Sequence, residues 1–477
     1  MHPMGTQLRT DELLLTGHSF AGPCYPDSVP IPLLFRNSAF SRVTALARLR
    51  PVHAAFAWLH GNPKTIMDWQ MALVAIPAPP YGEQPRAEWL AARFAEAGLS
   101  QVEIDAAGNV LATLPATHLP PESTGPVVVL SAHLDTVFPA GTPLHPVLDG
   151  DRLAAPGACD NAAGVAGMLA IAHALIASGV ELPAPLVLLG NVGEEGEGNL
   201  RGVRHIYSQS VSTGIPIDEA SPPGPIAAPS AHDTSPMASL AGRIAAHIVL
   251  DGAGADAAVT QALGSSRHLI TITGPGGHSF TDAGTPNPIV ALAQAMAALA
   301  ETPLPAEPRT TLNVGTIRGG TSVNSIPESA QAAIDFRSTD PAQLQRLEAA
   351  LYRTIEDAVD RCNVKAQAGT PASFGPLSFS VTRIGERPAA HLPDDSPLLE
   401  ALRAVDRHLS LRTDLRLGST DANIPLSLGI PALSMGAGGA GGAAHTLAEW
   451  YSAKDRETGL RRVLLLILAM LAWAAEQ

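Results

Sequence analysis

Four short apolar runs in this chain each lead into a histidine or a carboxylate. Residues 126–130 (PVVVL) run into Ser-Ala-His133-Leu-Asp135. Residues 186–189 run into Gly-Asn-Val-Gly-Glu194-Glu195. Residues 244–250 (IAAHIVL) run into Asp251, and residues 430–435 into a glycine-rich loop that ends at His445. Imidazole and carboxylate together suit zinc or a similar divalent cation. Short apolar runs bounded by glycine and polar residues read as buried parallel strands. In open α/β sheets ligands bind beyond the carboxyl ends of such strands. Four distant segments are therefore expected to deliver His, Asp and Glu to one crevice.

Each fragment has a plainer reading on its own. His133 and Asp135 lie two apart and face the same way on an extended strand end. Asp135 is then expected to accept the spare imidazole proton, although a simple hydrogen-bonded pair has the same spelling. Glu194 and Glu195, with Glu197 close by, also fit a solvated loop. Asp251 also fits a turn before Gly252, and His445 a loop histidine. Cys159, beside Asp160, reads as a small buried side chain rather than a ligand. The combination points to a shared site.

The elements that must hold these residues follow from periodicity. Residues 56–98 have helical spacing, with a stop at Gly98, and strands are expected at 101–105 and 110–114. Residues 161–179 form an alanine-rich helix directly after Asp160, so that carboxylate sits at a helix N-terminus, where negative charge is favoured. Residues 211–241 are rich in Pro, Ser and Ala and read as a long insertion. From 265 the order is strand (268–273), helix (288–300), strands (310–317 and 330–336), helix (341–359) and strand (377–384). This βαββαβ order is that of a ferredoxin-like layer. A helix at 396–409 and the His445 strand return the chain to its first domain. The expected fold is α/β: a mixed, mostly parallel sheet flanked by helices, with an inserted ferredoxin-like α+β lid. The expected boundaries are 1–45 (an extension without assignment), 46–264, 265–388 (the lid) and 389–477.

Bulk properties narrow the function. The chain has 477 residues, enough for more than one domain. Its net charge of -14 argues against nucleic acid as a partner. Three scattered cysteines, Cys24, Cys159 and Cys362, argue against a disulfide framework and fit a reducing cytoplasm. The start lacks a basic region followed by an apolar core, so no signal peptide is expected. The apolar stretch 463–475 is too short to span a bilayer; it is expected to be a C-terminal helix docked on the core.

The motifs SAHLDTV, PGACDNAAG, GNVGEEGEG, GPGGHSF, NSIPESAQAAIDFR and GAAHTLAEW occur here in order. Over residues 60–475 the chain resembles the co-catalytic zinc hydrolases that include peptidase T, glutamate carboxypeptidase and acetylornithine deacetylase. The resemblance implies two divalent metal ions, zinc first, with cobalt or manganese as substitutes. His133, Asp160 and Asp251 would hold one; Asp160, Glu195 and His445 would hold the other. Glu194 would be the general base and Asp135 the partner of His133. His278, in the lid, would reach the site of a partner subunit in a homodimer joined through the lid. Asn324 and Arg337 would bind polar groups of the substrate, and Asp421 (GSTDANIP) would be structural or line the pocket. The gap from Glu195 to Asp251 is longer than the family's usual one, and Asp218 and Asp256 are other acids in reach. The strand before Asp251 favours that residue.

Aspartate at position 251 resembles the aminopeptidases and dipeptidases, whereas glutamate there resembles deacylases and carboxypeptidases. The expected activity is hydrolysis of a small amide or peptide substrate, with an aminopeptidase on di- or tripeptides first. An N-acyl-amino-acid amidohydrolase or carboxypeptidase comes second, and a non-catalytic metabolite binder on the same scaffold is the distant alternative.

Overall fold

The computed structural model describes residues 38–120, 123–208, 240–369, 375–412 and 414–477. Cys24, Asp218, most of the 211–241 insertion and the first 37 residues lie outside them.

The core is a nine-stranded sheet. Its four inner strands run parallel in the order Leu186–Asn191, Val127–His133, Ile244–Leu250 and Ala432–Met435. They are the four apolar runs. A parallel sheet is covered on both faces, so its strands read as unbroken apolar sequence rather than alternation. Leu130 pairs with both Leu188 and Ile248, fixing one register across the three strands. Val110–Leu114 and Ser100–Ile104 extend one edge antiparallel. Three strands at the other edge, Ala257–Ala262, Ala390–His391 and Asp414–Gly418, were not anticipated. AAVTQA lacks both a long apolar run and clear alternation, and DLRLG alternates over only five residues.

The helix Ala162–Ser178 crosses between two parallel strands. Asn161 caps it by accepting the Gly164 N–H at 3.1 Å, and Gly179 ends it with a left-handed φ of 64°. Nearly every side chain in its first three turns is buried. The C-terminal helix Arg456–Ala474 is likewise buried against the sheet. Among the described residues no helix is long and apolar enough to cross a membrane. The helix Ala39–Ala47 begins inside the stretch 1–45 and packs on Pro397–His408 through Val43 and Leu46.

A second sheet has four antiparallel strands in the order Thr310–Gly319, Ser329–Ser338, Gly264–Thr273 and Ser378–Arg387. The helices Pro288–Ala300 and Pro341–Gly369 pack on it through Leu292, Leu299, Leu351 and Ile355 against Ile270 and Phe336. In chain order this is βαββαβ with spatial order 4-1-3-2, the expected ferredoxin-like layer. The chain leaves the core sheet at Ala262 and returns at Ala390, and these two residues pair with each other. Both crossings therefore lie side by side, and Arg387 stands at one of them.

Candidate active site and metal centre

The five expected ligands meet at the carboxyl ends of the parallel strands. His133 ends one strand and Asp251 follows its neighbour. Asp160 precedes the crossover helix, Glu195 follows the strand Leu186–Asn191, and His445 lies beyond Ala440–Gly442. Nε2 of His133 is 3.0 Å from Asp160 Oδ1 and 3.9 Å from Asp251 Oδ1. Nε2 of His445 is 3.0 Å from Asp160 Oδ2 and 3.0 Å from Glu195 Oε1. Ligand atoms of His133, Asp160 and Asp251 all lie within 4.8 Å of one another, and so do those of Asp160, Glu195 and His445. Asp160 belongs to both groups, with one carboxylate oxygen toward each imidazole. His133, Glu194 and Glu195 form a further group within the same limit.

Two carboxylates outside these triads hold the loops in place. Asp135 accepts the main-chain N–H groups of Glu194 at 3.0 Å and Glu195 at 2.7 Å. Glu449 accepts those of Gly157, Cys159 and Asp160 at 2.8, 2.8 and 2.7 Å. Both are almost fully buried, so each satisfies buried donors that would otherwise be costly. The partner of His133 Nδ1 is the main-chain carbonyl of Asp135, at 3.1 Å, with the carboxylate farther away at 3.6 Å. A carbonyl only accepts, so Nδ1 carries a proton and Nε2 is the nitrogen a cation would take.

Electrostatics show what this assembly needs. Burial, Asp160 and Glu194 push Asp251 up to about 7. Burial, then Glu194 and Asp160, push Glu195 up to about 8. Burial also opposes ionisation of Asp160, but the neighbouring imidazoles of His133 and His445 hold it below the usual carboxylate range. His445 is raised to about 9, chiefly by Asp160. His133 is raised well above its ordinary value, because Asp135 and Asp160 outweigh its burial. Buried acids outnumber the charges that face them. Asp160 Oδ1 is buried and accepts no hydrogen bond, despite its closeness to His133. An orphaned carboxylate oxygen facing an imidazole nitrogen is the arrangement a divalent cation would complete once that nitrogen gives up its proton. The donor set fits zinc or a similar ion.

Glu194 is buried beside these groups, and burial raises it. Its Oε1 lies 2.7 Å from Arg387 Nη1, and Arg387 Nη2 donates to the Glu194 carbonyl. Sequence reasoning missed Arg387. Its partner is distant in the chain, and its only local signal is the Pro388 that follows the last lid strand. Glu449 was missed too, although it lies in GAAHTLAEW. Asp421 is buried, accepts from Asn191 Nδ2 at 2.7 Å, and is pushed well above the usual range by burial and by Glu194. It joins neither triad.

The lid residues lie apart from this cluster. The pair Gly277–His278 bridges Ser325–Ile326, and Ser279 N–H donates to the Asn324 carbonyl at 3.0 Å. His278 and Asn324 thus share one exposed tip. His278 Nδ1 accepts from the Phe280 and Thr281 N–H groups at 3.2 and 3.4 Å, leaving Nε2 as the donor. Arg337 donates from Nε to Asp335 at 2.7 Å. Among the described residues, no hydrogen bond or ion pair joins these three to the carboxylate–imidazole cluster. Cys159 is buried, its thiol pushed up to about 12 by burial, and it joins no ligand group. Neither Asp256 nor Glu197 joins one.

A family model described as peptidase family M20/M25/M40 matches residues 129–469. Among solved structures, aminopeptidase PepT from Bacillus cereus is 19% identical, with a TM-score of 0.63 over 86% of this chain and 98% of that one. A tripeptidase from Staphylococcus aureus is 20% identical, with a TM-score of 0.61 over 87% and 99%. A dinuclear metal-binding peptidase from Bacillus subtilis is 15% identical, with a TM-score of 0.58 over 86% and 99%. These likenesses are of fold. No curated protein sequence matches the chain.

Proposed function

This chain belongs to the peptidase family M20/M25/M40, and we propose that within it the protein is a dinuclear zinc aminopeptidase acting on di- or tripeptides. The observation that carries this reading is the pair of ligand groups sharing Asp160. His133, Asp160 and Asp251 would hold one ion, and Asp160, Glu195 and His445 the other. When bound, such ions would polarise a scissile carbonyl and lower the pKa of a bound water.

The remaining chemistry falls to the protein's own groups. Glu194 takes the proton of the attacking water on its carboxylate and passes it to the leaving amine. Its burial keeps it more basic than an exposed glutamate, and the Asp135 bonds fix its backbone. The Arg387 contact on Oε1 leaves Oε2 as the oxygen that takes the proton. His278, with Nε2 as donor, steadies the oxyanion in the partner subunit's site, a contact worth about 3 kcal/mol. Asn324 and Arg337 bind polar groups of the substrate.

A homodimer through the lid is supported by that layer's edge. Among the described residues, the strand Thr310–Gly319 has a neighbour on one side only. Around it Ile317, Ile289, Val290 and Val323 are exposed. An open strand flanked by apolar side chains is a template for a second copy.

Aspartate at 251 supports the aminopeptidase over the acylase. The B. cereus neighbour is described as an aminopeptidase and the S. aureus one as a tripeptidase. Turnover of a dipeptide against its N-acetylated form, with a chelator titration on the better substrate, tests both parts. Preference for the free amino terminus and loss of activity on metal removal are expected. Preference for the acetylated form would make the protein an N-acyl-amino-acid amidohydrolase. Undiminished turnover without metal would end the metallopeptidase reading.

A further inference from the structure

One exposed aromatic side chain beside the site is held far more firmly than its exposure explains. Tyr81 is 61% exposed, yet its φ of 69° lies in the left-handed region that side chains with a Cβ rarely adopt. Its hydroxyl donates to the Glu197 carbonyl at 3.3 Å, within the turn Gly196–Gly198 that directly follows Glu195. The Arg201 guanidinium lies over one face of the ring, 4.7 Å from its centroid. Arg201 is in turn fixed by two bonds to Glu83, at 2.8 and 2.7 Å, and Glu83 is buried. On the other side of the loop, Thr136 N–H donates to the Ala78 carbonyl at 2.8 Å.

These tethers set the location. Thr136 follows Asp135, at the end of the strand that carries His133, and Glu197 follows Glu195. The segment 78–81 therefore bridges the two loops that leave the carboxyl ends of adjacent parallel strands, with Ala78 on one and Tyr81 on the other, at the same end of the sheet as the ligand groups. An outlying backbone angle held by surrounding contacts tends to mark a functional position. A ring with fixed orientation also loses little freedom when something packs on it.

We propose that Tyr81 is a specificity-determining residue whose free face packs against an apolar side chain of the substrate. The covered face decides the chemistry. The ring's negative π-cloud already serves Arg201, so its opposite face has less to offer a second cation. An aliphatic or aromatic side chain needs no such attraction and gains buried area. The proposal rests on the peptidase reading above and narrows its substrate class.

Tyr81→Gly removes the ring while suiting the left-handed backbone, and Tyr81→Phe keeps the ring without its hydroxyl anchor. Metal-loaded wild type and both variants would be assayed on Leu-Gly, Phe-Gly, Ala-Gly and Lys-Gly, with the N-acetyl forms of Leu, Phe, Ala and Lys in parallel. In whichever series the wild type prefers, Tyr81→Gly should raise KM for the Leu and Phe members about tenfold, with kcat within about twofold. The Ala and Lys members should change little. Tyr81→Phe should keep most of the preference for Leu and Phe. Metal content and thermal midpoint should match the wild type in both variants. Equal losses across all four side chains, or an unchanged preference in Tyr81→Gly, would overturn the proposal. A wild type that prefers the acetylated series refutes the aminopeptidase reading, and the side-chain comparison within that series still decides the role of Tyr81.

Discussion

Arg387 and Glu194 form a buried ion pair, 2.7 Å from Nη1 to Oε1, at the point where the last lid strand rejoins the core sheet. The same guanidinium reaches the carbonyl and hydroxyl of Ser419, each at 3.2 Å. The orientation of the lid and the state of the proposed base therefore meet in one side chain. Arg204 and Asn199 reinforce the junction through the main chain of Glu386.

Removing the guanidinium leaves Glu194 in a buried site with no cation on its carboxylate. Burial already raises Glu194, and Arg387 opposes that rise. A buried acid without a partner protonates rather than staying charged. Arg387→Ala should thus move the acid limb of the kcat/KM profile to higher pH by about one unit, equivalent to about 1.4 kcal/mol. Arg387→Lys should restore part of the shift. An acid limb that stays in place in Arg387→Ala would show that this contact does not tune the base.

Metal affinity should depend on pH with a definite sign. Asp251 near 7, Glu195 near 8 and His445 near 9 hold protons at neutral pH in the metal-free protein. Each must lose its proton to act as a ligand. Affinity should therefore rise as pH increases from about 6 to 9, by about tenfold per pH unit for each proton displaced. Competition with a zinc-binding dye at three pH values measures this. A flat response would mean that these groups are not the ligands.

Glu449 offers a test that leaves every proposed ligand in place. Its carboxylate gathers three N–H groups of the loop that presents Asp160. Supporting groups of this kind are typically worth 10- to 100-fold, roughly, in metal affinity. Glu449→Ala should lower zinc affinity within that range, and Glu449→Gln, which keeps one acceptor oxygen, should lower it less. Equal affinity in all three proteins would reduce Glu449 to a packing role.

What the sequence revealed divides along the range of its interactions. The strand Ile244–Leu250 and the helix Pro288–Ala300 coincide with the expected segments, because continuous burial and helical spacing are written locally. Four of the five proposed ligands stood out for the same reason, since His133, Glu195, Asp251 and His445 each follow an apolar run, whereas Asp160 came from the resemblance alone. The second role of Asp135 was not. Its carboxylate turns to the backbone of residues 194 and 195, and only the pairing of His133 with Asn191 brings those strand ends together. Arg387 and Glu449 act on groups far away in the chain, so no spacing rule reports them. The strand Ala257–Ala262 was hidden because its register comes from its neighbours rather than from its own residues.

The shared-site dimer makes the sharpest demand. His278 stands at the exposed lid tip with Nε2 as its donor, and it makes no hydrogen bond to the carboxylate–imidazole cluster of its own chain among the described residues. If it serves the partner's site, His278→Ala and Glu194→Ala should each be inactive alone, for different reasons. Glu194→Ala keeps its ligands and should bind metal normally while losing about 10²- to 10⁴-fold in turnover. His278→Ala keeps its base and lacks the oxyanion donor. In a mixed dimer, one composite site receives the Glu194 of one subunit and the His278 of the other, both intact, while the second site lacks both. Mixing the two inactive proteins under conditions that exchange subunits should therefore restore up to about one quarter of wild-type activity, since random exchange makes about half the dimers mixed and each has one good site of two. Sedimentation should show a dimer throughout. Exchange without any recovered activity, or a fully active monomer, would place the oxyanion donor within a single chain.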